Sequence, residues 1–147
     1  MRTSKFNNIN ITYREDTCDE KVLQESFLNN RFFEGLPEYK LESDDTIIDV
    51  GAHIGSFSLL AASRAKRGKV YAIEPGEESF NILLKNISLN RYSNIYPLKI
   101  ALSDRKGKAS LYHNTRSGNW GDTITKDVSS VQEEIETDTL SNVMRKN

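Results

Sequence analysis

Three short stretches of the sequence carry residues suited to holding a small ligand. The first is Asp49-Val50-Gly51-Ala52-His53-Ile54-Gly55, where an acid lies near the end of an apolar run and two glycines frame a turn. Gly51 and Gly55 permit a tight reversal and close approach of a ligand to the backbone. Amides at the start of a following helix would point into the same space. The second stretch is Glu74-Pro75. A carboxylate there can accept hydrogen bonds from both hydroxyls of a ribose, while Pro75 sets the chain direction and adds no competing donor. The third is Ile100-Ala101-Leu102-Ser103-Asp104, whose backbone, with Ser103 or Asp104, would read an adenine ring.

Spacing selects among nucleotide ligands. A dinucleotide fingerprint requires G-x-G-x-x-G, whose middle glycine lets a pyrophosphate lie against the backbone. Here that position is His53 and the spacing is G-x-x-x-G. No Gly-Lys-Ser/Thr follows, which excludes a Walker A loop. The turn is therefore shaped for an adenosine ligand without a pyrophosphate, and S-adenosylmethionine meets that description.

These stretches need elements to position them. Ile47, Ile48 and Val50 flank Asp49 in a short apolar run that ends at Gly51, which reads as a buried parallel strand entering a tight turn. Ser56 to Arg67 places Phe57, Leu60, Ala61 and Arg64 at helical spacing, with Arg64, Lys66 and Arg67 at its carbonyl end and Gly68 as a stop. A second strand (Lys69 to Ile73) follows. The next helix carries Glu77 and Glu78 in its first turn, turns Phe80, Leu83, Leu84 and Ile87 inward and closes at Asn90. A third strand runs from Asn94 to Ala101. Strand, helix, strand, helix, strand with right-handed crossovers predicts half of a doubly wound parallel sheet, order 3-2-1: an α/β, Rossmann-like fold.

Around this unit the pattern is looser. Ile9, Ile11 and Tyr13 alternate as a short strand, Thr17 and Glu20 form a capping-box pattern, and Val22, Leu23, Ser26 and Phe27 share a helical face. Leu36-Pro37 argues against helix through Leu36. Lys108 to His113 reads as a strand returning as a hairpin after the turn at Asp104–Gly107. Residues 114–130 read mainly as loop, Gln132 to Glu136 as strand, and Thr139 to Arg145 as the start of a helix. The chain divides into an N-terminal strand and helix cover (1–45), a cofactor-binding half (46–104) and a hairpin, loop and next element (105–147).

Other chemical residues have plainer readings. His53 reads as a cofactor contact or an exposed residue ahead of a general base. His113 reads as ordinary surface, and Cys18 as a helix-start thiol with no histidine placed to activate it. Trp120 covers the cofactor, shapes a substrate wall or packs on the core. No residue stands out as a catalytic base, and the chain offers no metal site.

Composition narrows the classes. The 147 residues are enough for one domain with a real core. Twenty basic and 21 acidic residues leave a net charge of −1, without the basic footprint of a general nucleic-acid binder. One cysteine excludes an internal disulfide. No apolar run is long enough for a signal peptide or a membrane span. The expectation is a soluble, cytoplasmic protein acting on neither nucleic acid nor membrane.

Asp49 through Gly55, Val70-Tyr71-Ala72-Ile73-Glu74-Pro75, the helix end from Leu84 to Asn90, and Ala101-Leu102-Ser103-Asp104 to Gly107 together resemble the FkbM family of S-adenosylmethionine-dependent methyltransferases. The resemblance implies a class I methyltransferase fold. It implies that Asp49 and the Gly51–Gly55 loop hold the methionine end, Glu74 the ribose, and Ala101 to Ser103 the adenine edge. His53 stands where the family more usually has Asn, and both can donate to the cofactor. The implied reaction is O-methylation of a small molecule or glycan.

Family members continue past the segment resembling Glu136-Thr137-Asp138-Thr139-Leu140 into further strands that carry the acceptor pocket. The resemblance thus implies a C-terminally truncated relative lacking that half. Two alternatives follow: a degenerate, non-catalytic cofactor-binding fragment, and a nucleotide-dependent oxidoreductase, which His53 in the fingerprint disfavours. Without a fourth strand, Ile47 to Val50 would present an unpaired apolar edge, which predicts self-association.

Overall fold

The computed structural model describes residues 1–27, 40–113, 122–124 and 132–146. Two strands, β1 (Arg2–Phe6) and β2 (Ile9–Tyr13), form an antiparallel hairpin in which Phe6 pairs with Ile9. The two-residue turn, Asn7-Asn8, has φ of 47° and 68°. Positive φ at both central residues matches the strand twist, and asparagine tolerates it well. The alternation at Ile9, Ile11 and Tyr13 thus marks the inner strand of a pair rather than a lone strand.

Helix α1 (Asp19–Phe27) follows. Thr17 accepts from the Asp19 amide at 3.2 Å and donates to the Arg14 carbonyl, closing a local turn where a capping box with Glu20 was expected. The buried face is Asp19, Leu23, Ser26 and Phe27, so an acid shares the apolar stripe. The Leu36-Pro37 boundary lies outside the described residues.

The central unit is β3 (Thr46–Val50), α2 (Ser56–Arg64), β4 (Lys69–Ile73), α3 (Glu77–Asn90) and β5 (Ile95–Leu98). The three strands are parallel in the order β3-β4-β5, with β4 central. That is the 3-2-1 half of a doubly wound sheet expected from the sequence. One face packs on α2 and α3 through Val70, Ala72, Leu59, Ala62, Ile82 and Leu83, all buried. Among the described residues β3 has a strand partner only on its β4 side. Its outward residues Ile48 and Val50 are 37% and 60% exposed.

Three details depart from the sequence reading. Helix α2 ends at Arg64, and Lys66 and Arg67 lie beyond it, the Arg67 amide bonding to Ser43 O at 2.7 Å. Gly68 is required by the close passage of the Asp45 carbonyl, which a Cβ would strike. In α3 Leu83 is buried and Phe80 and Ile87 pack against the core as expected, but Leu84 is 40% exposed, and Ser79, Ile82 and Asn86 join the buried face. Fully buried Asn86 and, one turn on, Asn90 bind the backbone of Thr12 and Asn10 on β2. The match is geometric: four helical residues rise ~6 Å and two strand residues ~6.8 Å.

The predicted third strand breaks at Lys99. Its first part is β5. Its second, β6 (Ala101–Leu102), pairs in parallel with β8 (Gln132–Asp138) in another sheet of order β6-β8-β7. Strand β7 (Gly107–Tyr112) pairs antiparallel with β8 rather than folding back on β6. Ile135 on β8 packs between Ala101 and Leu111, burying apolar area that a two-residue strand could not cover alone. Helix α4 (Leu140–Lys146) follows as expected. Glu133 of β8 accepts from the Glu77 amide at 2.9 Å, placing an acid at the start of α3 and joining that helix to the second sheet.

Candidate cofactor site

The turn after β3 is held by its own backbone. The Gly51 and Ala52 amides both bond to Ile73 O, at 2.9 and 3.0 Å, and the Gly55 amide bonds to Ala52 O. Gly51, His53 and Gly55 have φ of 77°, 53° and 88°. At Gly55 a Cβ would lie 2.5 Å from Leu83 Cδ1, whereas at Gly51 it would meet nothing within 4 Å. One glycine is needed for packing against α3, and the other faces open space. Histidine and asparagine are among the few residues that occupy the left-handed region readily, which accounts for His53 at its position.

Glu74, at the end of β4, locks the turn to the next loop. Its Oε2 accepts from the His53 amide at 2.8 Å and its Oε1 from the Gly76 amide at 2.9 Å. Burial pushes its pKa up, and those two amides oppose the shift. A carboxylate has about four lone-pair sites, so acceptor capacity remains for a ligand hydroxyl. Asp49 lies on the α2 side, its Oδ2 accepting from Ser58 Oγ at 2.6 Å, and burial raises its pKa too.

A cavity of about 280 Å³ opens at the carboxyl ends of these strands, lined by Gly51, Pro75, Ala101, Leu102, Leu111 and Asp122 among others. It brings the three predicted stretches together. Ile54 is fully buried behind the turn and Ala52 nearly so. The Ser103 amide donates to Asp138 O at the end of β8, and its hydroxyl donates to the adjacent Asp104 Oδ1.

The N-terminal segment supplies groups that sequence reasoning missed. Asp19, fully buried, takes a forked pair of bonds from Arg14: Nε to Oδ2 and NH2 to Oδ1, both 3.0 Å. Arg14 NH1 also reaches Glu78 at 2.8 Å, and its NH2 lies 2.8 Å from His53 Nε2. Cys18, Asp19 and His53 bring a sulfur, an oxygen and a nitrogen within 4.8 Å of one another. Arg14 NH2 lies within 3.0 Å of both Asp19 Oδ1 and His53 Nε2, which are themselves 3.3 Å apart, so Arg14 already supplies a cation to this cluster. His53 Nδ1 is buried and has no partner among the described residues. A buried polar atom in that state costs about 1–3 kcal/mol. Burial and the Asp19 charge push the Cys18 thiol up, which keeps it protonated and a poor nucleophile.

His113 departs from the surface reading. It is half-buried, with Nδ1 2.8 Å from Asp122 Oδ2 and Nε2 3.9 Å from Glu133. Asp122 lines the cavity, and its charge acts on Glu74, His53 and Cys18. Trp120 lies outside the described residues. Two signals for the missed groups were present: Asp19 at i, with Leu23 and Ser26 at i+4 and i+7, and the Asn86/Asn90 pair at i, i+4.

Comparison with known proteins bears on this geometry. A methyltransferase, sdnD of Sordaria araneosa, is 35% identical over 72 residues, 48% of this chain and 28% of that protein. A tRNA(Phe) (4-demethylwyosine(37)-C(7)) aminocarboxypropyltransferase of Methanocaldococcus jannaschii is 34% identical over 55 residues, 37% of this chain and 22% of the relative. The matches thus span about a quarter of those relatives' lengths. The crystal structure of methyltransferase FkbM from Methylobacillus flagellatus KT superposes with a TM-score of 0.51 at 17% identity. It covers 76% of this chain and 25% of that one, and it shows the Rossmann-like class I methyltransferase fold. The methyltransferase FkbM domain family matches residues 49–147. The chain belongs to the FkbM family of S-adenosylmethionine-dependent methyltransferases.

Proposed function

We propose that this chain binds S-adenosylmethionine at the carboxyl ends of β3, β4 and β6 and methylates an oxygen of a small molecule or glycan. The observation that carries the reading is the bond from the His53 amide to Glu74, which couples the glycine turn to the carboxylate suited to ribose hydroxyls. The open space at Gly51 and the apolar cavity wall fit an adenosine ligand. In this reading Asp49 and residues 51–55 hold the methionine end, Glu74 the ribose, and Pro75 with Ala101, Leu102 and Ser103 the adenine. Residues 1–147 act as one cofactor-binding unit.

When bound, the cofactor supplies an electrophilic methyl group. The chain's own contribution is to hold it against the acceptor, because alignment within attack distance lowers the barrier most cheaply. No helix among the described residues is long and apolar enough to cross a membrane. One relative is named for a tRNA substrate, so the charge balance alone does not exclude an RNA acceptor. The test is calorimetry with S-adenosylmethionine, followed by methyl transfer to hydroxylated small molecules, oligosaccharides and tRNA. Binding by the wild type and at least tenfold weaker binding by Glu74→Ala are expected. A wild type that does not bind overturns the reading. Transfer to tRNA alone overturns the acceptor class.

A further inference from the structure

We propose that Asp122 is the counter-charge for the sulfonium of S-adenosylmethionine, and so makes the site favour the cofactor over its demethylated thioether. The inference rests on S-adenosylmethionine as the ligand, and it adds a side chain that the glycine turn and Glu74 do not supply.

Asp122 is the only ionisable side chain among the described residues that line the cavity. The rest of the lining is largely apolar and includes Ile73, Pro75, Leu102, Leu111 and Ile124. Two sets of contacts fix where the acid stands. Tyr112 and Thr123 exchange backbone hydrogen bonds of 2.9 and 3.2 Å, which pins the residue after Asp122 to the end of β7. His113 Nδ1 then meets Asp122 Oδ2 at 2.8 Å, and both side chains are largely covered. An ionised carboxylate only accepts, so the imidazole donates and orients the acid.

A sulfonium entering such a cavity needs a partner. It has no proton to lose, so it cannot shed its charge on leaving water as a buried amine does. In the proposed pose the methionine tail lies at Gly51 and the adenine against Pro75, Ala101 and Leu102. Sulfur joins that tail to the ribose, which places it between the two, and Gly51, Pro75 and Asp122 line one cavity. The field of Asp122 spans this stretch. Burial is the main influence on the pKa of Glu74 and of His53, and the Asp122 charge pushes both upward. The thioether left after methyl transfer is neutral, so Asp122 holds the incoming cofactor and lets the spent one go.

The test is calorimetry on the full chain at pH 7.5 with three ligands that differ at the sulfur position. S-adenosylmethionine is a cation there, S-adenosylhomocysteine is neutral, and sinefungin carries an ammonium in place of the methylated sulfur. Asp122→Asn keeps the shape of the side chain and removes its charge. It should weaken S-adenosylmethionine and sinefungin about tenfold, between the scale of an exposed ion pair and that of a buried one. S-adenosylhomocysteine should weaken by less than about twofold, which also shows that the variant is folded. Equal weakening of all three places the carboxylate on a part they share, such as the adenine amine, and overturns the proposal. A loss confined to S-adenosylmethionine shows a methyl contact rather than a charge and overturns it too, as does unchanged binding of all three. A second measurement needs no variant: added salt should weaken S-adenosylmethionine more than S-adenosylhomocysteine in the wild type, and an equal effect on both overturns the proposal. A wild type that binds none of the three removes the underlying reading as well, whereas in every other case that reading stands.

Discussion

Asn86 Nδ2 donates to the Ile54 carbonyl at 2.9 Å, so α3 grips the glycine turn after β3. The same amide nitrogen donates to Thr12 O at 2.9 Å, and Oδ1 accepts from Thr12 N at 2.7 Å. One fully buried side chain therefore ties β2, α3 and the turn together. Asn86→Ala should strand three buried backbone groups and destabilise the fold by about 3 kcal/mol. Denaturant titration checks this. A cost under about 1 kcal/mol would show that the turn stands without α3.

The two glycines of the turn should separate under substitution. Gly51→Ala meets only the strain of a positive φ, about 1–2 kcal/mol, because its Cβ enters open space. Its main effect should be weaker S-adenosylmethionine binding. Gly55→Ala adds a collision with Leu83 and should cost about 2–5 kcal/mol in stability. Thermal unfolding with and without ligand distinguishes the two. Equal destabilisation would contradict the assignment.

How much of this was legible in the sequence depends on the range of the interactions. The β3–α2–β4–α3–β5 unit could be read because each strand and helix carries its own period and the turn glycines punctuate them. The split of the third strand at Lys99 could not, because β6 is recruited by Ile135, which lies far along the chain. Asp49, Gly51, Glu74 and Ala101 were legible from local spacing, and the structure gathers them at one end of the sheet. Arg14, Asp19, Asn86 and Asp122 reach the site across the tertiary fold. Asp19 still left a trace, since an acid on an apolar stripe requires a buried cation.

The outer side of β3 should make the chain self-associate. Thr46 to Val50 carries no proline or lysine to guard it, whereas β5 on the other side of β4 contains Pro97. Among the described residues this edge has no strand partner, and an unpaired edge can add a strand from a second copy. Sedimentation should show a mass that rises with concentration, and Ile48→Lys should suppress the rise. A wild type that stays monomeric at high concentration would overturn this expectation.

Cofactor affinity should carry the signature of Glu74. Burial raises its pKa, so the residue protonates at a pH above that of an ordinary glutamate, ~4.3. Between the ordinary and the raised value the folded state binds more protons than the unfolded one. Stability from this group therefore falls as pH rises through that window. Binding runs the other way, because ribose hydroxyls donate best to the ionised form. Affinity for S-adenosylmethionine should be full above the raised pKa and fall as pH drops through it. Glu74→Gln should bind about tenfold more weakly at pH 7.5. Glutamine offers one acceptor and one donor, so it cannot serve both the His53 and the Gly76 amides. The variant's affinity should also lose the acid limb. Calorimetry from pH 8 downward gives both curves. An acid limb that persists in Glu74→Gln would assign the titration to another group, with Asp49, also raised by burial, the next to test.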